Sequence, residues 1–190
     1  MERNEDLIDL INLCKQNDSI AQQKVFNSYK NKLFALCLRY SKSSSEAEDM
    51  LMEGWMRIFK SIEGFEINRE FNSFVFEAWI KKIMINNAIN IYRANKKHNL
   101  NEEFSEFTII DLDQVHQKDY LFTEEELIDC VQKLPKSLRV IFNLSAIDEY
   151  SNKEISQELN MTTDSVKSNL YKARRALREN LDKIANKDLR

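Results

Sequence analysis

Residues 151–177, SNKEISQELNMTTDSVKSNLYKARRAL, put two helix-length stretches on either side of a short polar turn. In the second stretch Val166, Leu170, Ala173 and Leu177 recur at i, i+4, i+7 and i+11, the narrow apolar stripe of a helix that packs on a core. At 100° per residue Ser168, Tyr171, Lys172 and Arg175 fall opposite that stripe, with Lys167, Arg174 and Arg178 on the flanks. Only Asp164 balances this cationic face before Glu179. Ahead of it, Ile155 and Leu159 mark a short helix, and residues 160–163 supply the turn. Two helices around a tight turn, the second basic on one side, make the layout of a helix-turn-helix, whose second helix can enter the major groove of B-DNA. A helix that merely solvates a Lys/Arg face has the same periodicity, so the pattern alone leaves both readings open.

The remaining sequence points to an all-α fold. The 190 residues hold two glycines, Gly54 and Gly64, and one proline, Pro135, too little punctuation for hairpins and sheet turns. A hydrophobic fraction of 43% is enough to build the core of one domain or of two small ones. The net charge of -3 argues against a general polyanion binder, so any nucleic-acid contact has to come from local patches. Cys14, Cys37 and Cys130 lack paired spacing, and His98 and His116 flank no cysteine cluster. Neither zinc nor a disulfide is indicated, and buried reduced thiols are expected. No apolar run nears the roughly 20 residues of a membrane span, and the opening MERNEDLIDL is acidic where a signal peptide is basic. The expectation is a cytoplasmic protein with no membrane insertion and no cofactor.

Composition divides the chain into residues 1–97, an acidic segment 98–122 with six acids against one lysine, and residues 123–190. Helix starts are placed by three capping boxes, Ser45 with Glu48, Thr123 with Glu126 and Ser151 with Glu154, and by Pro135 in a first helical turn. Helices are expected at about 5–16, 19–41, 46–62, 73–95, 124–133, 135–147, 152–159 and 164–185. The third has an apolar face of Ala47, Leu51, Trp55, Ile58 and Ile62. In residues 76–97, FEAWIKKIMINNAINIYRANKK, Lys81, Lys82, Arg93, Lys96 and Lys97 occur without any acid from Lys81 on, interleaved with Asn86, Asn87, Asn90 and Tyr92. Lysine and arginine grip phosphate, asparagine reads base edges and aromatic rings stack on bases. Trp79, Ile80, Ile83, Ile85 and Ile89 are expected in the core.

From Leu134 onward the pattern LPKSLRVIFNL, then SNKEISQEL, then SVKSNLYKARRAL closely resembles the C-terminal helix-turn-helix of sigma-70 family factors, specifically the small extracytoplasmic-function (ECF) group. The resemblance implies two helical domains joined by the acidic segment: an N-terminal region 2 type bundle over 1–97 and a C-terminal region 4 type helix-turn-helix over 123–190. It implies a non-enzymatic subunit that directs core RNA polymerase to promoters. On it, Ser165, Lys167, Ser168, Tyr171, Lys172, Arg174, Arg175 and Arg178 would read the minus-thirty-five element. Lys81, Lys82, Asn86, Asn90 and Arg93 would open the minus-ten element, with Phe65 and Phe71 in a loop resembling the one that captures a flipped base, although an ordinary connection with both rings plugging the core fits the same residues; Asn90 departs from the Asp common there. Glu46, Glu48, Asp49, Met52 and Glu53 would face the β′ clamp helices, Met52 standing where Gln is most frequent. Residues 134–147 would seat on the β flap. An anti-sigma factor enters as a candidate partner on the same ground.

A flexible 25-residue segment spans ~25–30 Å on average and ~85 Å when stretched, whereas the two promoter elements of such factors lie ~70 Å apart. A polymerase would have to hold the segment extended. Neutralising Glu102, Glu103, Glu106, Asp111 and Asp113 is expected to raise affinity for DNA without polymerase, read by gel shift. Two rivals remain at this stage: a stand-alone helix-turn-helix regulator, and a helical interaction protein.

Overall fold

The computed structural model describes residues 2–68, 71–98 and 122–187, and among these every regular element is helical. In order they are α1 (Glu2–Lys15), α2 (Ser19–Tyr40), α3 (Ser44–Ser61) followed by a 3₁₀ turn (Ile62–Gly64), α4 (Ser73–His98), α5 (Glu124–Gln132), α6 (Lys136–Phe142) followed by a π-helical turn (Asn143–Ile147), α7 (Asn152–Leu159) and α8 (Thr163–Lys187). The chain divides into one unit over Met1–Asn90 and another over Ile91–Arg190, so the last turns of α4 count with the second. The acidic segment, apart from His98 and Phe122, lies outside the described residues.

In the first unit, Leu7, Ile11 and Cys14 of α1 share one buried face with Ala21, Val25, Leu33, Leu36 and Cys37 of α2. The expected face of α3 is buried throughout, from Ala47 to Ile62. Trp55 sits between Phe26 and Phe59, with ring centroids 5.2 and 5.3 Å away. Ile80, Ile85 and Ile89 of α4 are buried as expected, while Trp79 and Ile83 are half-buried. Asn87 is fully buried and donates from Nδ2 to the Met50 carbonyl at 3.1 Å, tying α4 to α3.

The capping boxes of Thr123 with Glu126 and Ser151 with Glu154 form as expected. The start of α3 does not. Ser43, not Ser45, is the cap, accepting from Glu46 N at 3.3 Å, while Glu46 Oε2 accepts from Lys42 N at 2.8 Å. Three consecutive serines make the register ambiguous in sequence, and burial of Ala47, Met50 and Leu51 decides it. Pro135 is likewise the N-cap of α6 rather than a first-turn residue. The helix expected over 135–147 changes winding at Asn143, whose buried side chain donates to the Arg139 carbonyl at 2.9 Å. Local side-chain bonds of this kind compete with the regular ladder and accompany π turns.

In the second unit Cys130, Val131, Leu134 and Leu138 of α5, α6 and the bend between them pack on Ala173, Ala176 and Leu177 of α8. Glu149 adopts φ 61° just before α7. A left-handed conformation costs a side chain with a Cβ roughly 1–2 kcal/mol, and part of that is returned on substituting glycine. Glu149→Gly is therefore expected to raise the melting temperature of this unit by a few degrees, and a fall would show that the Glu149 side chain holds the turn.

Burial pushes the Cys37 thiol up to about 12 against the pull of Arg39, and burial with Asp18 nearby pushes Cys14 up to about 11. Both titrate near ~8.5 once unfolded. The stability they contribute is whole below that pH and is lost as pH rises toward the folded values. Urea unfolding is expected to show a lower midpoint at pH 10 than at pH 7.5, and replacing both cysteines by alanine should flatten that difference.

Candidate nucleic-acid interface

The turn between α7 and α8 works because Asn160 adopts φ 49°, a left-handed conformation that asparagine tolerates, with its N–H donating to the Ser156 carbonyl. Thr162 then caps α8, its Oγ1 accepting from Ser165 N at 3.1 Å and donating to Ser165 Oγ at 2.8 Å. Ser165 is thus engaged in the cap. Val166, Leu170, Ala173 and Leu177 are all buried, which turns the opposite face outward. Lys167, Ser168, Lys172, Arg174 and Arg178 are exposed, and Tyr171, at 62% exposure, lies near the middle of them. Lys167 reaches Asp164 at 3.3 Å, so one acid remains on the face. Arg175 differs from the other cations: its side chain is 24% exposed and pairs with Glu179 at 3.2 Å. A contact from Arg175 to DNA would first have to break that pair.

Along α4 the exposed row is Phe74, Ala78, Lys82, Asn86 and Asn90, each four residues from the last. Asn86, Asn90 and Lys82 thus share one edge, as their spacing suggests. Lys81 is half-buried. Arg93, on the part of α4 counted with the second unit, pairs with Glu158 of that unit at 2.9 Å.

The structure places Phe65 in the core. It is 6% exposed, its ring 4.8 Å from Trp79, 5.3 Å from Phe76 and 6.1 Å from Phe71, and its carbonyl accepts from Lys15 Nζ at 2.6 Å. Such a ring holds the loop to the bundle and offers no face to a base. Phe71 is half-buried at the edge of the same cluster. The exposed ring in this neighbourhood is Phe74, which sequence reasoning passed over; Asn72 as a helix-capping residue, with Phe74 two places on, was the available signal.

On α3, Glu48 and Asp49 are exposed beside Met52, at 55% exposure, while Glu53 pairs with Arg57 at 2.7 Å. Glu46 is exposed but committed to the helix start.

The family model described as Sigma-70 region 2 matches residues 25–98, and that described as Sigma-70, region 4 matches residues 124–177. Over 182 residues the chain is 31% identical to the ECF RNA polymerase sigma factor SigW of Bacillus subtilis (strain 168), a match covering 90% of this chain and 94% of that relative. The chain belongs to the sigma-70 family, in its ECF group. This sigma factor is also 25% identical over 170 residues to RNA polymerase sigma factor SigV of the same organism, across 89% of this chain and 96% of the relative. Among solved structures, the sigma factor RpoE in complex with the anti-sigma factor NepR from Bartonella quintana matches with TM-score 0.48 and 19% identity, over 84% of this chain and 96% of that one.

The function is promoter-specific transcription initiation. A stand-alone regulator is not favoured, because the region 2 match fills the part of the chain where a ligand pocket or dimer seam would stand. Sigma factors are non-enzymatic initiation factors. Among the described residues, no helix is long and apolar enough to cross a membrane.

Proposed function

We propose that the sigma factor divides promoter recognition between two weak surfaces that a polymerase makes strong. The exposed cationic face of α8, opposite a fully buried stripe, carries this reading. Tyr171, Lys172, Arg174 and Arg178, with Lys167 and Ser168, read the minus-thirty-five element. Lys82, Asn86 and Asn90 engage the minus-ten element, with Lys81 and Arg93 beside them, Arg93 after release from Glu158. Glu48, Asp49 and Met52 meet the β′ clamp helices, and residues 134–147 seat on the β flap. On this reading the region 2 domain takes residues 1–97 and the region 4 domain residues 123–190, with the acidic segment as their linker.

A small helix-turn-helix buries only ~600–1,000 Å² on DNA, and nonspecific binding sits near ~10⁻⁴–10⁻⁶ M. Once polymerase sets the spacing, the second contact becomes intramolecular and the affinities multiply. The protein performs no catalysis of its own and works in the cytoplasm, where polymerase and promoter are. Family membership also puts an anti-sigma factor among its partners, checked by co-purification from cells growing without stress. The central test is a core-polymerase pull-down followed by runoff transcription on promoters located by transcript mapping after overexpression. Binding together with factor-dependent transcripts is the expected result; tight promoter binding without polymerase would overturn it.

A further inference from the structure

Lys15, the last residue of α1, donates from Nζ to the Phe65 carbonyl at 2.6 Å, a bond between residues 50 apart in sequence. The backbone beneath it is fixed, because Ile11 and Cys14 in the last turns of α1 are fully buried. Phe65 N donates to the Ile62 carbonyl at 3.1 Å, and the Phe65 ring is buried 4.8 Å from Trp79. Phe65 is thus held at its N–H, its ring and its carbonyl, and Glu66 and Asn68 emerge exposed directly after it. Asn86 and Asn90 lie seven and eleven residues on from Trp79, within about 20° of it around α4. The loop that leaves Phe65 therefore borders the N-terminal end of the α4 face that carries both asparagines.

We propose that Lys15 is a positioning residue for minus-ten recognition, fixing the peptide after Phe65 so that Glu66 and Asn68 border the strand held by Asn86 and Asn90. This rests on the assignment of α4 to the minus-ten element. Burial of the ring anchors the loop but leaves the plane of the next peptide free to turn about the extended Phe65 backbone, at ψ 118°. The carbonyl of that peptide is the group Lys15 grips, so the ammonium sets the plane and with it the direction of Glu66 and Asn68. A charge-assisted hydrogen bond is among the stronger ones for such a task. A carboxylate and an amide placed there suit base edges. Without Lys15 the loop would have to be ordered on contact with DNA, and that ordering subtracts from affinity for the fitted base. The region 2 family match begins at residue 25, so this control comes from a helix outside the matched segment.

The test uses the full-length factor with core polymerase on a mapped promoter and on derivatives in which each minus-ten base pair is replaced in turn. Runoff transcription at limiting factor gives the base preference at each position, with core binding and circular dichroism melting measured alongside. Lys15→Met keeps the aliphatic stem and removes the donor. It is expected to lower the preference roughly 2- to 12-fold at the position that Asn68→Ala also affects, with core binding and the preferences elsewhere retained. Lys15→Arg, which keeps a donor, is expected to restore it. Unchanged preferences in Lys15→Met, an equal loss at every position, or no rescue by Lys15→Arg would overturn the proposal, the second result marking a bond that serves stability alone. If Asn86→Ala and Asn68→Ala alter no preference either, the assignment of α4 falls first and this inference with it.

Discussion

Gly54→Leu is expected to destabilise the N-terminal unit by about 3 kcal/mol, lowering its melting temperature by more than about 10 °C. Gly54 is buried in α3, and a Cβ placed on it would overlap Sδ and Cε of Met84 on α4. Methionine is adaptable, but Met84 is itself fully buried, so its thioether has no open space to move into. The glycine lets two helices approach, and the nearby hydrogen bond from Asn87 to the Met50 carbonyl depends on the same closeness. Circular dichroism melting checks the effect. Gly54→Ala combined with Met84→Ala should be less damaging than the sum of the single changes, since truncating Met84 relieves the overlap. A Gly54→Leu protein that melts like wild type would refute the α3–α4 packing. Loss of polymerase binding is expected from the same distortion, because Glu48, Asp49 and Met52, proposed above to meet the clamp helices, ride on α3.

Arg174→Ala is expected to weaken use of the minus-thirty-five element by about 1–3 kcal/mol, a loss of roughly 5- to 150-fold in runoff transcription at limiting factor. If Arg174 reads a base edge, the loss depends on promoter sequence. If it grips phosphate, the loss is uniform and the salt slope of binding falls by about one. Arg175→Ala should cost less, because its guanidinium is largely covered and already paired with Glu179. A larger effect from Arg175 than from Arg174 would mean that the α8 face engages DNA on a different rotation from the one its exposure suggests.

Position along the helix was legible in the residues themselves, whereas which residue on that helix is accessible was not. Arg174 and Arg175 differ by 100° and both looked cationic and outward, yet a glutamate one turn on removes one of them from the face. Phe65 and Phe71 were expected to meet DNA because their loop resembles the one that captures a flipped base in the family, with a core role as the other reading of the same rings. Burial of Phe65 against Phe76 and Trp79 is a matter of three-dimensional neighbours that loop composition does not encode. Phe74 was missed for the converse reason: an apolar residue at a helix start is ordinarily assigned to the core, and here Phe76 has taken that place.

What the amino-acid sequence determined by itself was the all-helical architecture, the helix-turn-helix and the cationic side of its second helix. Those follow from local rules: 3.6-residue periodicity, side-chain caps at Thr123 and Ser151, and an asparagine able to turn left-handed at Asn160. Tertiary structure alone decided the cap at Ser43, the π turn after Phe142, the place of Gly54 against Met84 and the choice of Phe74 over Phe65 as the outward ring. Each of these is a competition between nearly equivalent local options, and the option that buries the most apolar surface without overlap wins.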